Sequence, residues 1–535
     1  MQRERIVRQR RKVRLLLAGL ILLSALSGIA APGLFEGNAV LTTPGNKIDG
    51  LVSTRLQELN IQPAKVCSDA VFVRRVYLDT IGTLPTALEA ENFILDQNPD
   101  KRRILIDRLL ARDEFADYWA MKWSDLLRVK AEFPMNLWPN AAQAYHQWIR
   151  DGIRKNEPYD QFVRDLLTAS GSNFAVPQVN FYRALQDKSP QTIAQAVALA
   201  FRGTRIDHWP EEQRANLAAF FSNVGYKATS EWKEEIVFFD SASTNARAVT
   251  DAPRLATFPD GTTVALLPDK DPREVFAGWL TGTNNPWFAR NIVNRTWSWL
   301  LGRGIIQEPD DIRPDNPPSN PELLACLEKE LVSSGYDLKH IYRLILNSKT
   351  YQLASIPKTD DPRGAANFAF YPLRRLDAEV LIDAVNQITG GSENYSSAIP
   401  EPYTFIPPGV RSIALPDGSI TSSFLEMFGR PPRDTGLESE RNNSVTAAQK
   451  LWLLNSSAMR QKIEQSRMIQ FQTQPGNTPR QIAAGMYLGI LSRFPTEAES
   501  QTVEAYFQSG KLGRREAAVD LAWALMNSDE FLYRH

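Results

Sequence analysis

The sequence predicts a mainly α, multi-helical protein of two domains with a small β element between them. Three observations carry this prediction. At 535 residues the chain exceeds what one compact core accommodates, so more than one domain is expected. Apolar residues recur at helical spacing from about residue 49 to 228 and again from 271 to the end. Between these stretches, 236–267 changes to short β-prone runs around a turn. The resulting division is an N-terminal signal peptide or anchor (1–31), a Pro/Gly/Asn-rich linker (32–48), an N-terminal helical domain (49–228), a β-containing connection (229–270) and a C-terminal helical domain (271–535).

In chain order, Ser68-Asp69 offers an N-cap to a helix over 71–81, and Pro99-Asp100 precedes one with Ile106, Leu109 and Leu110 on a single face. Helices over 191–201 and 214–221 follow in the same period. Ile236–Phe239, then Leu255–Phe258 and Thr262–Leu267 around Pro259-Asp-Gly261, read as strands, the last two as a hairpin. Helical patterning returns over 286–301, 321–334, 338–348, 376–389, 446–463, 479–491, 497–507 and 514–528. Residues 391–423, rich in Pro, Gly and Ser, read as a long irregular loop.

The chain also echoes itself. Tyr77, Pro85, Thr86 and Glu89 reappear 410 positions later as Tyr487, Pro495, Thr496 and Glu499. The physical reading is a reused helical hairpin whose second helix opens on a Pro-Thr-x-x-Glu capping box. Asp113-Glu-Phe115 and Asp529-Glu-Phe531 close the two copies, and the run ending at Tyr351 is a looser third. Arg75 and Asp79 lack counterparts in the last copy, so the repeat is read as scaffold.

The N-terminus assigns a compartment. Leu15–Ala31 is seventeen uncharged residues, about 25 Å as a helix, short of a roughly 30 Å hydrocarbon core. Preceded by a basic stretch and ended by small residues, it reads as an export signal, with an uncleaved membrane anchor as the alternative. Both place the body in the periplasm or cell envelope. Of 61 basic and 61 acidic residues, seven basic and one acidic fall in the first fourteen, leaving 54 against 60. A mildly acidic body argues against nucleic-acid binding. Hydrophobic residues at 43% rule out a disordered chain. Cys67 and Cys326 are the two cysteines, readable as one long-range disulfide or as free thiols.

Catalytic signatures are absent: there is no HExxH, G-x-S-x-G, phosphate-binding P-loop or CxxCH, and no cofactor is expected. Candidate residues come instead from charges placed in apolar helices. Arg75 and Asp79 lie four apart on a helix apolar in every direction, so each must be paired or must line a polar cleft. Asn294 and Arg295 sit on an equally apolar helix, and the nearest acidic supply is the 308–315 stretch with Glu308, Asp310, Asp311 and Asp315. Those acids lack calcium-loop spacing, so turn chemistry accounts for them better than metal. Arg430, Arg433, Glu440 and Arg441 form a third cluster, suited to holding an anion by forked hydrogen bonds or to tying the domains together. Trp119, Trp123, Trp138 and Trp148 read mainly as core, with an aromatic-lined cleft as the other reading.

Through VFVRRVYLDTIGTLPT, NPWFARNIVNRTWSWLLGRGI, DDIRPDNPPSNPELL and FLEMFGRPPRD, the chain resembles a tandem pair of domains of unknown function from planctomycete-type bacteria. The resemblance covers about 50–535 and implies association with c-type cytochrome modules, but no activity. Relatives carry a Cys-x-x-Cys-His segment between Phe-x-Gly and Ala-x-Phe-Phe. Here Phe201-Arg-Gly runs to Ala218-Ala-Phe-Phe221 without it, so haem is not carried over. His208 is read as a packed or surface residue.

Two function classes follow. One is a non-catalytic exported module whose Arg/carboxylate cleft accepts an anionic polymer, a protein or a polysaccharide. The other is a hydrolase or lyase acting on an extracytoplasmic anionic or polysaccharide substrate through those same groups. Convergence on one open pocket with a perturbed carboxylate favours the enzyme; closed pairing favours the module.

Overall fold

The computed structural model describes residues 34–37, 45–242 and 254–535. The N-terminal signal or anchor and most of the linker lie outside them. Among the described residues no helix is long and apolar enough to cross a membrane. The fold is mainly α, 52% helix against 6% strand.

The Asp69–Ile81 helix begins where the Ser68 hydroxyl accepts from the Val71 N–H, and every residue from Val71 onward is buried. It stops at Gly82, whose φ of 60° is left-handed. Thr86 and Glu89 then form a reciprocal capping box that starts Ala87–Leu95. The same construction recurs 410 residues on: Thr478 caps Pro479–Leu491, Ser492 takes the left-handed turn at φ 59°, and Thr496 with Glu499 opens Glu497–Gln508. Pro479–Leu491 packs against Ala87–Leu95, so the two copies of the hairpin support one another. The looser third copy keeps the closing turn: the Ser348 hydroxyl accepts from Tyr351 N–H as Ser528 does from Phe531 N–H.

The β structure is small. Glu235–Phe239 pairs antiparallel with Val224–Ala228 on one side and with Gly171–Ser172 on the other. The hairpin read from the sequence forms as Arg254–Thr257 against Thr263–Leu266. A pairing not expected from sequence joins Arg374–Arg375 to Tyr533–Arg534.

Helix boundaries mostly follow the sequence pattern, but the helix expected over 214–221 is Glu211–Ala219, that over 338–348 ends at Leu346, and Lys47–Glu58 begins inside the expected linker. The stretch expected as a helix over 446–463 is two helices, Ala447–Asn455 and Ser457–Glu464. Ser456 is extended between them, and its hydroxyl caps the second by accepting from Met459 N–H. Residues 391–423 are irregular apart from the short Ser412–Ala414 turn and an isolated Ser396–Thr421 bridge. Neither cysteine is bonded, and Cys67 is buried.

The hydrophobic core runs without a break through the N- and C-terminal segments. Trp119 and Trp123 of Asp113–Leu126 meet Trp299 of Pro286–Leu301 at ring distances of 5.4 and 6.2 Å, and Trp119 meets Tyr342 at 4.5 Å. Trp148 stacks on Phe162.

The two copies of the hairpin make a reciprocal prediction. A Cβ at Gly82 would meet the Tyr118 ring at 2.5 Å, whereas Ser492 bears a side chain at the equivalent left-handed site, its hydroxyl buried without a hydrogen-bond partner among the described residues. In urea unfolding, Gly82→Ala is expected to destabilise by about 2 kcal/mol or more. Ser492→Gly is expected to stabilise by about 1 kcal/mol.

Candidate functional site

Charges buried inside helices find partners far away in sequence. Arg75 does not pair with Asp79. Its guanidinium donates to the backbone carbonyls of Tyr351, Leu353 and His535 at 2.7–2.8 Å and lies 3.8 Å above the Tyr371 ring. Its neighbour Arg74, overlooked in the sequence, donates to the carbonyls of Ile490 and Phe531 at 2.9 Å. These adjacent arginines therefore hold the closing turns of the other two copies of the repeat.

Asp79 accepts from the hydroxyls of Tyr351 and Tyr371 at 2.9 and 2.7 Å. It also draws Arg374 and Arg534 to 3.3 and 3.5 Å. Those two arginines face each other across the Arg374–Arg375/Tyr533–Arg534 ladder. Directly opposed like charges repel, and the shared carboxylate compensates.

From Arg534 the network continues to Asp377 at 3.0 Å, which also takes Lys122 at 3.1 Å and the Asn443 amide at 2.8 Å. Arg441 follows. It reaches Glu379 at 2.7 Å and Asp125 at 2.6 Å, and Asp125 also holds Arg433 at 2.9 Å. Arg430 stands 3.6 Å from Glu379 and donates to the carbonyls of Ile420 and Asp417. Beside this chain, Arg295 donates to Asp310 at 2.7 Å, and the second Asp310 oxygen accepts from the Glu438 N–H.

The electrostatics follow from this packing. Burial alone would raise the Asp377 carboxyl, but Lys122, Arg534 and Arg441 hold it well below the ordinary range. Arg441 and Arg433 do the same for half-buried Asp125. Lys122 moves the other way: burial, and then the nearby Arg441, push its ammonium down. Individual N–H groups of Arg295, Arg433 and Arg534 have no hydrogen-bond partner among the described residues, so the cluster is matched in charge but not in every donor.

Of the residues chosen from the sequence, Asp79, Arg430, Arg433 and Arg441 share one connected network, and Arg295 with Asp310 adjoins it through Glu438. Four others stand apart. Arg75 binds only backbone and aromatic rings, and Asn294 exchanges hydrogen bonds with the Ile306 backbone. Asp311 pairs with Arg313 at 3.2 Å nearer the surface, and Glu440 accepts from the N–H groups of Asp434 and Thr435. Lys122, Asp125, Asp377, Glu379 and Arg534 were missed. Lys122 and Asp125 carry the same signal as Arg75, since they sit among Trp119, Trp123 and Leu126.

A cleft lined by Lys122, Asp125, Glu438 and Arg441 opens onto this network, with a volume of about 10 Å³. That is room for a single water. No group of three or more His, Cys, Asp or Glu side chains suited to a metal occurs among the described residues. His208 is on the surface.

Two family models match the chain in tandem. Residues 47–207 match PSCyt2, a protein of unknown function (DUF1549), and residues 272–507 match PSD1, a protein of unknown function (DUF1553). The chain therefore belongs to the proteins that carry this pair of domains. No curated protein and no solved structure matches it.

Two predictions follow from the buried charges. Arg441→Met strands Asp125 and Glu379 and is expected to cost about 3–5 kcal/mol in urea unfolding. Adding Asp125→Asn should recover part of that loss. The second concerns pH. Burial, then the positive Arg433 and Arg150, push the His146 imidazole down to about 3. An imidazole kept neutral in the fold takes up protons on unfolding, so stability is lost as pH falls below about 6.5. Half-buried His535, pushed down to about 4, has the same sign. Asp383, raised to about 6 by burial, has the opposite sign. The net expectation is a falling urea midpoint between pH 7 and 5, and His146→Gln should remove about 2 kcal/mol of that fall at pH 5.

Proposed function

We propose that the chain is an extracytoplasmic, non-catalytic binding or assembly module whose two family domains are held together by the buried arginine–carboxylate network. The observation that carries this reading is the closure of the network. Its carboxylates already face cations from other segments of the chain, and the cleft beside it accommodates one water rather than a substrate. Hydrolysis by paired carboxylates requires two acids flanking an open site that admits both the scissile bond and a water. Export is supported by the basic stretch and apolar run at the N-terminus.

A second reading, a hydrolase or lyase, draws on one feature. Lys122, buried and with its ammonium depressed, lines that cleft with Asp125 and Glu438.

Two measurements separate these readings. Residues 1–48 fused to alkaline phosphatase should give active reporter in intact cells, and an inactive cytoplasmic fusion would remove the compartment. The full chain incubated with neutral and anionic polysaccharides should release no new reducing or unsaturated ends. Product formation abolished by Lys122→Met would establish the enzyme instead.

A further inference from the structure

We infer that the cleft formed by residues 392–409, with the aromatic side chains around it, is a binding site for a neutral glycan chain. The inference rests on the binding-module reading and gives it a ligand class, through residues separate from the sealed network.

The cleft has a volume of about 450 Å³, within the range of small-molecule sites and large enough for a short run of sugar rings. Hydroxyl, amide and carboxylate side chains line it, among them Glu393, Asn394, Ser396, Glu401 and Thr404. Its walls are fixed from outside. The Glu132 carboxylate accepts from the Ser397 hydroxyl at 3.1 Å and the Ala398 N–H at 2.9 Å. Ser396 and Thr421 exchange backbone hydrogen bonds at 2.9 Å, and the Tyr395 hydroxyl lies 2.6 Å from that of Ser412. One lining group is left over. Thr404 is 3% exposed, and its hydroxyl has no hydrogen-bond partner among the described residues. A buried hydroxyl left unpaired is costly, and a small shift of this loop that opened it to the cleft would let a ligand hydroxyl pair with it.

Aromatic rings from three segments stand beside this loop, next to the cleft rather than in its lining. Phe133, Trp232, Phe405 and Tyr403 are 80, 70, 62 and 50% exposed. Trp138 joins three segments, meeting Tyr403 at 5.3 Å and Trp232 at 6.4 Å, while the Lys233 ammonium caps both tryptophan rings at 5.3 and 5.2 Å. Phe405 lies between Thr404 and Ile406, both of which line the cleft. Exposed aromatic side chains gathered in one place mark a contact surface.

Pairing flat apolar faces with a hydroxyl-rich cleft matches the two faces of a pyranose, whose C–H groups lie against a ring while its hydroxyls take polar partners. The core of a protein-binding patch would be depleted of charge and more uniformly apolar. Glu393 and Glu401 line the cleft; Lys462 pairs with Glu393 at 3.5 Å, so Glu401 is the lining carboxylate without an ion pair among the described residues, and it disfavours a sulfated or carboxylated polymer.

Affinity electrophoresis of the full chain tests this, in gels containing hydroxyethylcellulose, galactomannan or dextran as neutral polymers and carboxymethylcellulose as the anionic one. At least one neutral polymer should retard the protein. Trp232→Ala, Tyr403→Ala and Thr404→Val should each weaken the retardation about fivefold or more, whereas Leu88→Ala, an exposed apolar side chain on the Ala87–Leu95 helix, should leave it unchanged. No retardation by any neutral polymer, retardation unaffected by these substitutions, or preference for the anionic polymer would overturn the site. So would self-association abolished by the same variants, which would make the patch a contact between copies. Products released from a retarding polymer would overturn the non-catalytic reading while leaving the glycan site standing.

Discussion

Arg441 holds Asp125, from the N-terminal segment, and Glu379, from the C-terminal one, within 2.7 Å of the same guanidinium. Glu379 is deep enough that ionisation without a partner would cost several kcal/mol, and the cost is smaller for half-buried Asp125. The helices that carry them, Asp113–Leu126 and Ala378–Thr389, are therefore tied to a common position by electrostatics as well as by apolar packing. Through Asp377 and Arg534 the same constraint reaches Asp79, so the first copy of the repeat, the two-residue ladder and the Phe428–Arg441 loop all answer to one connected set of charges. A buried ion network adds little net stability over an apolar equivalent. What it adds here is register, because a slip of any one segment strands a charge.

The repeat supplies the frame on which this network hangs. Two copies of the hairpin pack together, and Arg74 and Arg75 of the first reach across to backbone carbonyls of the other two. Carbonyls just beyond a helix lack internal partners, and a guanidinium with several donors satisfies two or three of them at once. The last copy has Gly485 and Gly489 where the first has Arg75 and Asp79, and Gly485 leaves space that the Gln472 side chain enters. The copies share a backbone and differ in which of them carries the charge.

Much of this fold was legible in the sequence, because caps, capping boxes and helical periodicity are local. Thr86 with Glu89 and Thr496 with Glu499 fix helix starts using residues three apart, and the structure follows them. The site was legible by half. That Asp79 and Arg295 must be paired follows from the apolar helices around them, and the nearby acidic stretch did supply Asp310 for Arg295. Which partners Asp79 takes does not follow, since Arg374 and Arg534 lie hundreds of residues away and are brought close by a two-residue ladder too short to leave a periodic signal. Lys122, Asp125 and Asp377 were accessible to the same reasoning as Arg75. They were obscured by the tryptophans around the first two and by the place of Asp377 at the mouth of a helix, where an acid is ordinary.

The interior and the 392–409 cleft differ in what they leave unsatisfied. Inside, cations and carboxylates meet one another, and an incoming anion would have to displace Asp125 or Glu379 from Arg441 without any gain in contact. At the cleft a hydroxyl is left unpaired and aromatic side chains stay largely exposed, so a ligand would meet groups not already committed to charged partners. Binding free energy comes from interactions that the unbound protein does not already make. On that criterion the arginine-rich centre, which dominates the sequence, is the part of the molecule least able to recognise anything. The irregular loop, with almost no helical or strand pattern to read, is the part best able to.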